Sequence, residues 1–379
     1  MRIGLSTLEM GSGETEVSRY VMALTRAMLS RDEAPELVLF VLEEDAPRFE
    51  YASRRAELVP VPEQFRHPEA EAEWREQLLP DLARHHDVDL VHLSGYRKLQ
   101  WRDRLPLVAT VHDPAPLLQD GKKDWETGFF ERVVKRKPQA RPPAFIATNN
   151  LAANSLEEHL GLPRDSVAVI YNGIDPRFRP GQPFEAKTRM DELYDLKEPF
   201  FLNVGPLNHP IGNHTGLIAA FNRFKRRVRS PWLLMLVGSD GPDAATIHAA
   251  VKQSPYAADI RVVERVTDAD LPTLFQAADA FVQPSLEARP DLTLVQAMAC
   301  GCPVISTTRG LLGEWVGEAS SLIDPDDMDD FSGKLAAMAG SLELRQRWRK
   351  AGLVQAKKFD WDRAAIDTMT VYERLAPGR

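Results

Sequence analysis

The chain has 379 residues, 47 basic and 55 acidic side chains and a formal charge of −8, too long for one ordinary domain of roughly 100 to 200 residues, so two are expected. A hydrophobic fraction of 44% beside 27% charged residues is a globular balance that excludes disorder as the global state. The acidic balance with no dominant basic stripe speaks against a nucleic-acid partner. The longest apolar stretch, "WLLMLVG" from Trp232 to Gly238, is far short of the roughly 20 residues a membrane-spanning helix requires.

The N-terminal "MRIGLSTLEMGSGE" lacks the apolar run of a signal peptide and reads as a strand, so a cytoplasmic protein is expected. Short β-branched or leucine-rich runs then alternate with amphipathic stretches, the pattern of βαβ units on parallel sheets. The first series comprises "RIGL", "LVLFVL", "DLVHL", "PLVATVH", "AFIAT" and "VAVIYN", with helical patterns from Thr15 to about Ser30 and from Glu69 to His86. It predicts an N-terminal Rossmann-like domain over residues 1–178. Residues 179–199 sit in a proline-rich stretch without a strand pattern and are expected to be a linker. A second series, "FFLNVG", "WLLMLVG", "IRVVERV", "DAFVQPS" and "CPVIST", predicts a second doubly wound domain over 200–355. Residues 356–379 are expected to form a helix crossing back to the first domain.

Two facing doubly wound α/β domains place a ligand at the carboxyl ends of their strands, in the crevice between them. Gly11, Ser12 and Gly13 precede the first helix, where small residues let a phosphate or acceptor approach the backbone. The rival reading is a plain strand-to-helix turn, and the third glycine of a dinucleotide fingerprint is missing. His112 ends the strand "PLVATVH" and is the catalytic candidate able to orient a sugar oxygen, against the rival of a structural histidine bonded to Asp113. His92 holds the same type of position on the preceding strand. Cys300 and Cys302 in "ACGCPV" are too close for an ordinary disulfide, and no second pair completes a zinc site, so no metal is expected.

"VIYNGIDPRFRP" at Val169 to Pro180 marks a turn and the domain exit, and here the whole chain resembles the retaining glycosyltransferases of family 4. The resemblance rests on "GETEVSRYVMAL" from Gly13, "ATVHDPAPLL" from Ala109, "NNLAANSLEEHLGLPRDSVAVIYNGIDPRFRP" from Asn149, "NVGPLN" from Asn203, "TDADLPTLFQAADAFVQPSL" from Thr267 and "LVQAMACGCPVIST" from Leu294. It implies the GT-B architecture and, as substrate, a nucleotide-sugar held by the C-terminal domain, with no obligatory metal. Gly205, Gly238, Arg265, Val266, Leu292, Thr293 and Gln296 carry over as donor-side positions.

The resemblance also exposes departures. Family members place Arg after the glycine of the strand-end "VG" and Lys five residues on, where this chain has Pro206 and Ile211. The two family glutamates are replaced by Ala288 and Gln296, and a small residue by Asp291. Losing both cations weakens a diphosphate grip by very roughly 3 to 6 kcal/mol, a factor of about 10² to 10⁴. Glu287, Arg289, His209, His214 and Arg309 are candidate substitutes, Glu287 as a catalytic carboxylate, and ordinary solvated loop residues are the rival reading.

The leading function implied is transfer of a hexosyl group to a saccharide or lipid-linked acceptor with retention. The alternative is a catalytically silent scaffolding subunit paired with a partner glycosyltransferase. Two basic runs, Lys135 to Arg141 and Arg223 to Arg229, read as solvated faces. The first, with Trp125, Phe129 and Phe130, is the candidate for peripheral contact with an anionic membrane.

Overall fold

In the computed structural model, which describes residues 1–11, 15–70, 73–95, 105–112, 144–287 and 292–375, the chain forms two units, Met1–Gly173 with Phe359–Arg379, and Ile174–Lys358.

The first unit is a seven-stranded parallel sheet of β1 (Arg2–Ser6), β2 (Glu36–Leu42), β3 (Ala56–Val61), β4 (Leu90–Leu93), β5 (Leu107–Val111), β6 (Ala144–Ala147) and β7 (Val167–Val169), ordered β3-β2-β1-β4-β5-β6-β7. A parallel sheet is covered on both faces, and β2 shows it: Val38, Phe40 and Leu42 enter one core while Leu37, Leu39 and Val41 enter the other. The helix Glu16–Leu29 packs on one face beside the C-terminal helix Trp361–Leu375, so residues from Phe359 onward belong to the first unit. Leu79, Ala83, Ala152, Ala153 and Leu156 cover the other face.

The second unit is a six-stranded parallel sheet, β8 (Phe200–Val204), β9 (Leu233–Val237), β10 (Ile260–Val263), β11 (Ala280–Gln283), β12 (Val304–Ser306) and β13 (Ser321–Leu322), ordered β10-β9-β8-β11-β12-β13. Helices His214–Arg227, Ala244–Gln253 and Met328–Gly340 cover one face, where Phe201, Leu234, Val282 and Ile305 meet Phe221, Phe224, Ile247 and Phe331. In each sheet the strand order reverses once, between β1 and β4 and between β8 and β11. Those reversals are where open α/β sheets leave a crevice at the strand ends.

Three expectations need correction. Residues 179–199 are not a bare linker: Pro183–Tyr194 is a helix, with Pro183 pre-setting its first turn, and it buries Ala186 and Met190 against the helix Leu271–Ala277. The second unit therefore starts at Ile174. The helical pattern from Glu69 to His86 resolves into a short π-helical turn at Trp74–Leu78 and a helix at Leu79–His85. The run Arg223 to Arg229 is not uniformly solvated, because the Lys225 ammonium is buried and donates to the Ser230 and Trp232 carbonyls while 2.9 Å from the Asp259 carboxylate. Arg223 pairs with Asp329.

Candidate functional site

The second unit's switch point holds a small pocket of about 90 Å³, open to solvent. Its walls come from the loop after β8 (Gly205, Pro206, Asn208, Ile211, Gly212), the start of the helix His214–Arg227, and the loop after β11 (Ser285, Glu287), with Asn203 and Gln283 at the strand ends. The β8 loop is fixed by backbone. Gly205 lies at φ +153°, a conformation only glycine adopts freely, and its N–H donates to the Val237 carbonyl at 2.9 Å. Gly238 packs so closely that a Cβ there would overlap the Gly205 carbonyl oxygen. The Leu286 N–H reaches the Ile211 carbonyl at 2.9 Å, and the Asn213 amide donates to the Pro284 carbonyl at 3.2 Å, so the β8 and β11 loops are tied together.

The pocket's chemistry is set by polar atoms left unmatched. Asn203 donates to the Val282 carbonyl at 2.8 Å and Gln283 to the Ser285 hydroxyl at 2.9 Å, which leaves both side-chain carbonyl oxygens without a partner among the described residues. His214 is 2% exposed, and neither of its ring nitrogens is hydrogen-bonded there. Burial holds this imidazole neutral, its pKa pushed down to about 4. The helix it begins has no side-chain cap, so its first-turn N–H groups remain available as donors. Among the described residues no Lys or Arg lines the pocket.

Of the donor-side positions read from sequence, the structure brings together Gly205, with Pro206, Ile211 and Glu287, and Gly238 behind them. Arg265 is exposed and Val266 buried just past β10, where the Thr267 hydroxyl bonds Asp270 at 2.7 Å and opens the helix Leu271–Ala277. Leu292 precedes the helix Thr293–Ala299, which contains half-buried Gln296; these residues are not among the pocket's walls. The Arg309 guanidinium pairs with Asp326. Arg289, Ala288 and Asp291 lie outside the described residues, as do Ser12, Gly13, Asp113, Trp125, Phe129, Phe130 and the run from Lys135 to Arg141. Cys300 and Cys302 are buried free thiols, and burial pushes Cys300 up to about 12, so neither is a nucleophile.

The first unit's switch point carries a polar cluster in which sequence reasoning found only part. Glu9, in the turn after β1, is buried and accepts from the Ser6 hydroxyl at 2.9 Å and the Ser94 hydroxyl at 3.1 Å. Burial raises its carboxyl to about 7, against the pull of those two hydroxyls and the Arg75 charge. His112 is linked to it through Ser94: Nε2 donates to the Ser94 carbonyl at 2.9 Å, the ring meets Tyr20 edge-on, and burial holds it neutral with a pKa of about 4. Its Nδ1 has no hydrogen-bond partner among the described residues, the Glu16 carboxylate standing 4.0 Å away. Gly11 ends the turn at φ +67°, and Thr15 caps the following helix by accepting from the Ser18 N–H at 3.0 Å.

His92 is structural. Its Nδ1 meets the Tyr372 hydroxyl at 2.6 Å and its Nε2 the Thr110 hydroxyl at 2.8 Å, anchoring the C-terminal helix to the sheet. Among the described residues no helix is long and apolar enough to cross a membrane, and no group of three His, Cys, Asp or Glu side chains is placed to hold a metal ion.

Two doubly wound parallel-sheet α/β units are the architecture of the GT-B glycosyltransferase fold. Residues 17–178 match the family described as Glycosyltransferase Family 4 and residues 185–354 match Glycosyl transferases group 1. The D-inositol 3-phosphate glycosyltransferase of Jonesia denitrificans is 35% identical over 308 residues, 76% of this chain and 72% of that protein. The chain belongs to this glycosyltransferase family. It is 28% identical over 230 residues to the O-antigen chain mannosyltransferase B of Escherichia coli, a match covering 61% of this chain and 60%, less than two thirds, of that protein. In fold it resembles a glycosyltransferase from Rickettsia africae, at TM-score 0.76 and 16% identity over 100% of this chain and 99% of that one. Anabaena Alr3699/HepE, whose structure is a complex with UDP, aligns at TM-score 0.71 and 16% identity over 99% of this chain and 100% of that one.

Proposed function

We propose that this glycosyltransferase moves a hexosyl group from a nucleotide-sugar to a saccharide or lipid-linked acceptor, with retention at the anomeric carbon and without an obligatory metal. The observation that carries the reading is the pocket at the β8 and β11 strand ends, lined by the start of a helix with no side-chain cap and by Asn203 and Gln283, whose buried side-chain oxygens have no partner among the described residues. The N–H donors suit a diphosphate, and the oxygens of Asn203 and Gln283 suit hydroxyl groups of the ligand. The UDP bound by Anabaena Alr3699/HepE supports a nucleotide for this family. The chemistry then relies on positioning and on backbone dipoles that stabilise the departing diphosphate. In the first unit, the bond from Nε2 to Ser94 fixes the His112 tautomer and leaves Nδ1 to accept a sugar hydroxyl.

The relatives are enzymes by description, which favours turnover over a silent binding subunit. Incubating the protein with a panel of nucleotide-sugars tests the reading: nucleotide release that rises with acceptor supports it, and silence together with no nucleotide binding rejects it. Restoring the two cations as Pro206→Arg with Ile211→Lys should tighten nucleotide-sugar binding by about 10² or more, since each charge-assisted bond contributes roughly 1.5 to 3 kcal/mol. Calorimetry reads that gain, and unchanged affinity would mean the diphosphate does not lie against this loop.

A further inference from the structure

The donor pocket lacks a permanent cation on its described walls, yet an imidazole is buried there with both ring nitrogens unmatched. His214 lines this pocket and is the first residue of a 14-residue helix whose start has no side-chain cap, so the imidazole and the helix's N-terminal end lie at the same pocket wall. The Gly212 Cα abuts the ring so tightly that a Cβ there would overlap it, which holds the imidazole in place. A buried, oriented, hydrogen-bond-free imidazole is costly unless an occupant completes it.

We propose that His214 supplies the positive charge for a bound diphosphate by taking up a proton from solvent as a nucleotide-sugar arrives; the proposal rests on the donor-pocket reading above. In the empty pocket burial keeps the ring neutral, and the charge of His209 from the preceding loop works in the same direction. The Asn208 carbonyl beside the ring favours the charged form, though no bond between them meets full hydrogen-bond geometry. The other charged group facing the pocket among the described residues is Glu287, exposed on the β11 loop. The helices Ala244–Gln253 and Met328–Gly340 pack on the same helix, and the latter's Asp329 is paired with Arg223, nine residues of chain from His214. A dianion within roughly 5 Å, at an effective dielectric near 20, lifts the imidazole pKa past neutrality.

The family's Arg and Lys are charged whether or not a ligand is present. Here the charge appears only with the ligand, so binding consumes a proton. Affinity therefore rises as pH falls, by up to about tenfold per pH unit between the free and ligand-bound pKa values, and flattens below the free value of about 4.

Titration calorimetry on the full chain tests this, using GDP-mannose and UDP-glucose, whose esterified diphosphates do not titrate near neutrality. At about pH 6.5, paired runs in PIPES and in imidazole buffer, which differ widely in ionisation enthalpy, should report uptake of roughly half to one proton per ligand. His214→Gln keeps an N–H donor but cannot charge, and should bind more weakly at about pH 6 with a flat pH profile, converging on the unaltered protein only above about pH 9. Binding without proton uptake overturns the proposal while leaving the donor reading intact. A pH slope that persists in His214→Gln overturns it too, and so does a pH-flat affinity that collapses in Arg289→Ala. If neither nucleotide-sugar binds, the donor reading for these ligands falls and the proposal falls with it. The buffer comparison needs no variant, so a misfolded His214→Gln does not block the test.

Discussion

Replacing Glu9 by glutamine removes a group whose ionisation works against folding at neutral pH. Glu9 is 8% exposed, and burial raises its carboxyl from 4.5 to about 7. The unfolded chain releases this proton near 4.5 while the folded chain keeps it until about 7, so across that window the folded state binds more protons. Stability must then fall as pH rises through the window and stay reduced above it. At about 1.4 kcal/mol per tenfold change, the full penalty is roughly 3 kcal/mol. Glutamine retains an acceptor for the Ser6 and Ser94 hydroxyls but cannot ionise. Glu9→Gln should match the unaltered protein near pH 4.5 and exceed it by up to about 3 kcal/mol at pH 8. Urea denaturation at a series of pH values measures this, with hydrogen exchange of β1 and β4 amides isolating the first unit's transition. The neutral histidines His92 and His112 act oppositely, since their depressed pKa values of about 3 and 4 lose stability as pH falls below 6.5. They are common to both proteins and cancel in the difference. Parallel pH profiles for the two proteins would refute the burial argument.

Two further substitutions probe the frame of each site. Gly238→Ala drives a Cβ into the Gly205 carbonyl; thermal unfolding should register a loss of roughly 1 to 3 kcal/mol, with weaker nucleotide binding by calorimetry, because both loops must shift. Tyr372→Phe deletes the hydroxyl bonded to His92 and leaves a buried ring nitrogen unmatched; it should lower the first unit's stability by about 1 to 3 kcal/mol and speed exchange along Trp361–Leu375, a pattern that surface solvation of that helix would not produce.

Much of the fold was legible because a parallel sheet covered on both faces writes itself as unbroken apolar runs. "LVLFVL" is such a run, and it became β2. β3 was not recognised: "AELVPV" carries Glu57 and Pro60, which suit an edge strand and break the apolar pattern that marks a central one. The helix Pro183–Tyr194 was hidden by its flanking prolines, since only packing against Leu271–Ala277 shows which of its residues are buried. At the sites, local sequence located the loops: the glycines after β8 and β9 and the histidine ending β5 stand where short strand-to-helix turns must lie. Glu9 carried no such mark and His214 stood only as one of several candidate substitutes, because a lone glutamate or histidine near a loop looks solvated until its surroundings are assembled.

Periodicity along the chain determined the elements and which faces are apolar, because burial of alternate side chains is a local property of strand and helix geometry. Strand order was a tertiary matter, and with it the meeting of polar groups far apart in the chain: Tyr372 with His92 across 280 residues, Ser94 with Glu9 across 85. Such meetings decide which ionisable groups lose water, and the loss of water is what makes Glu9 hold its proton and His214 lack one.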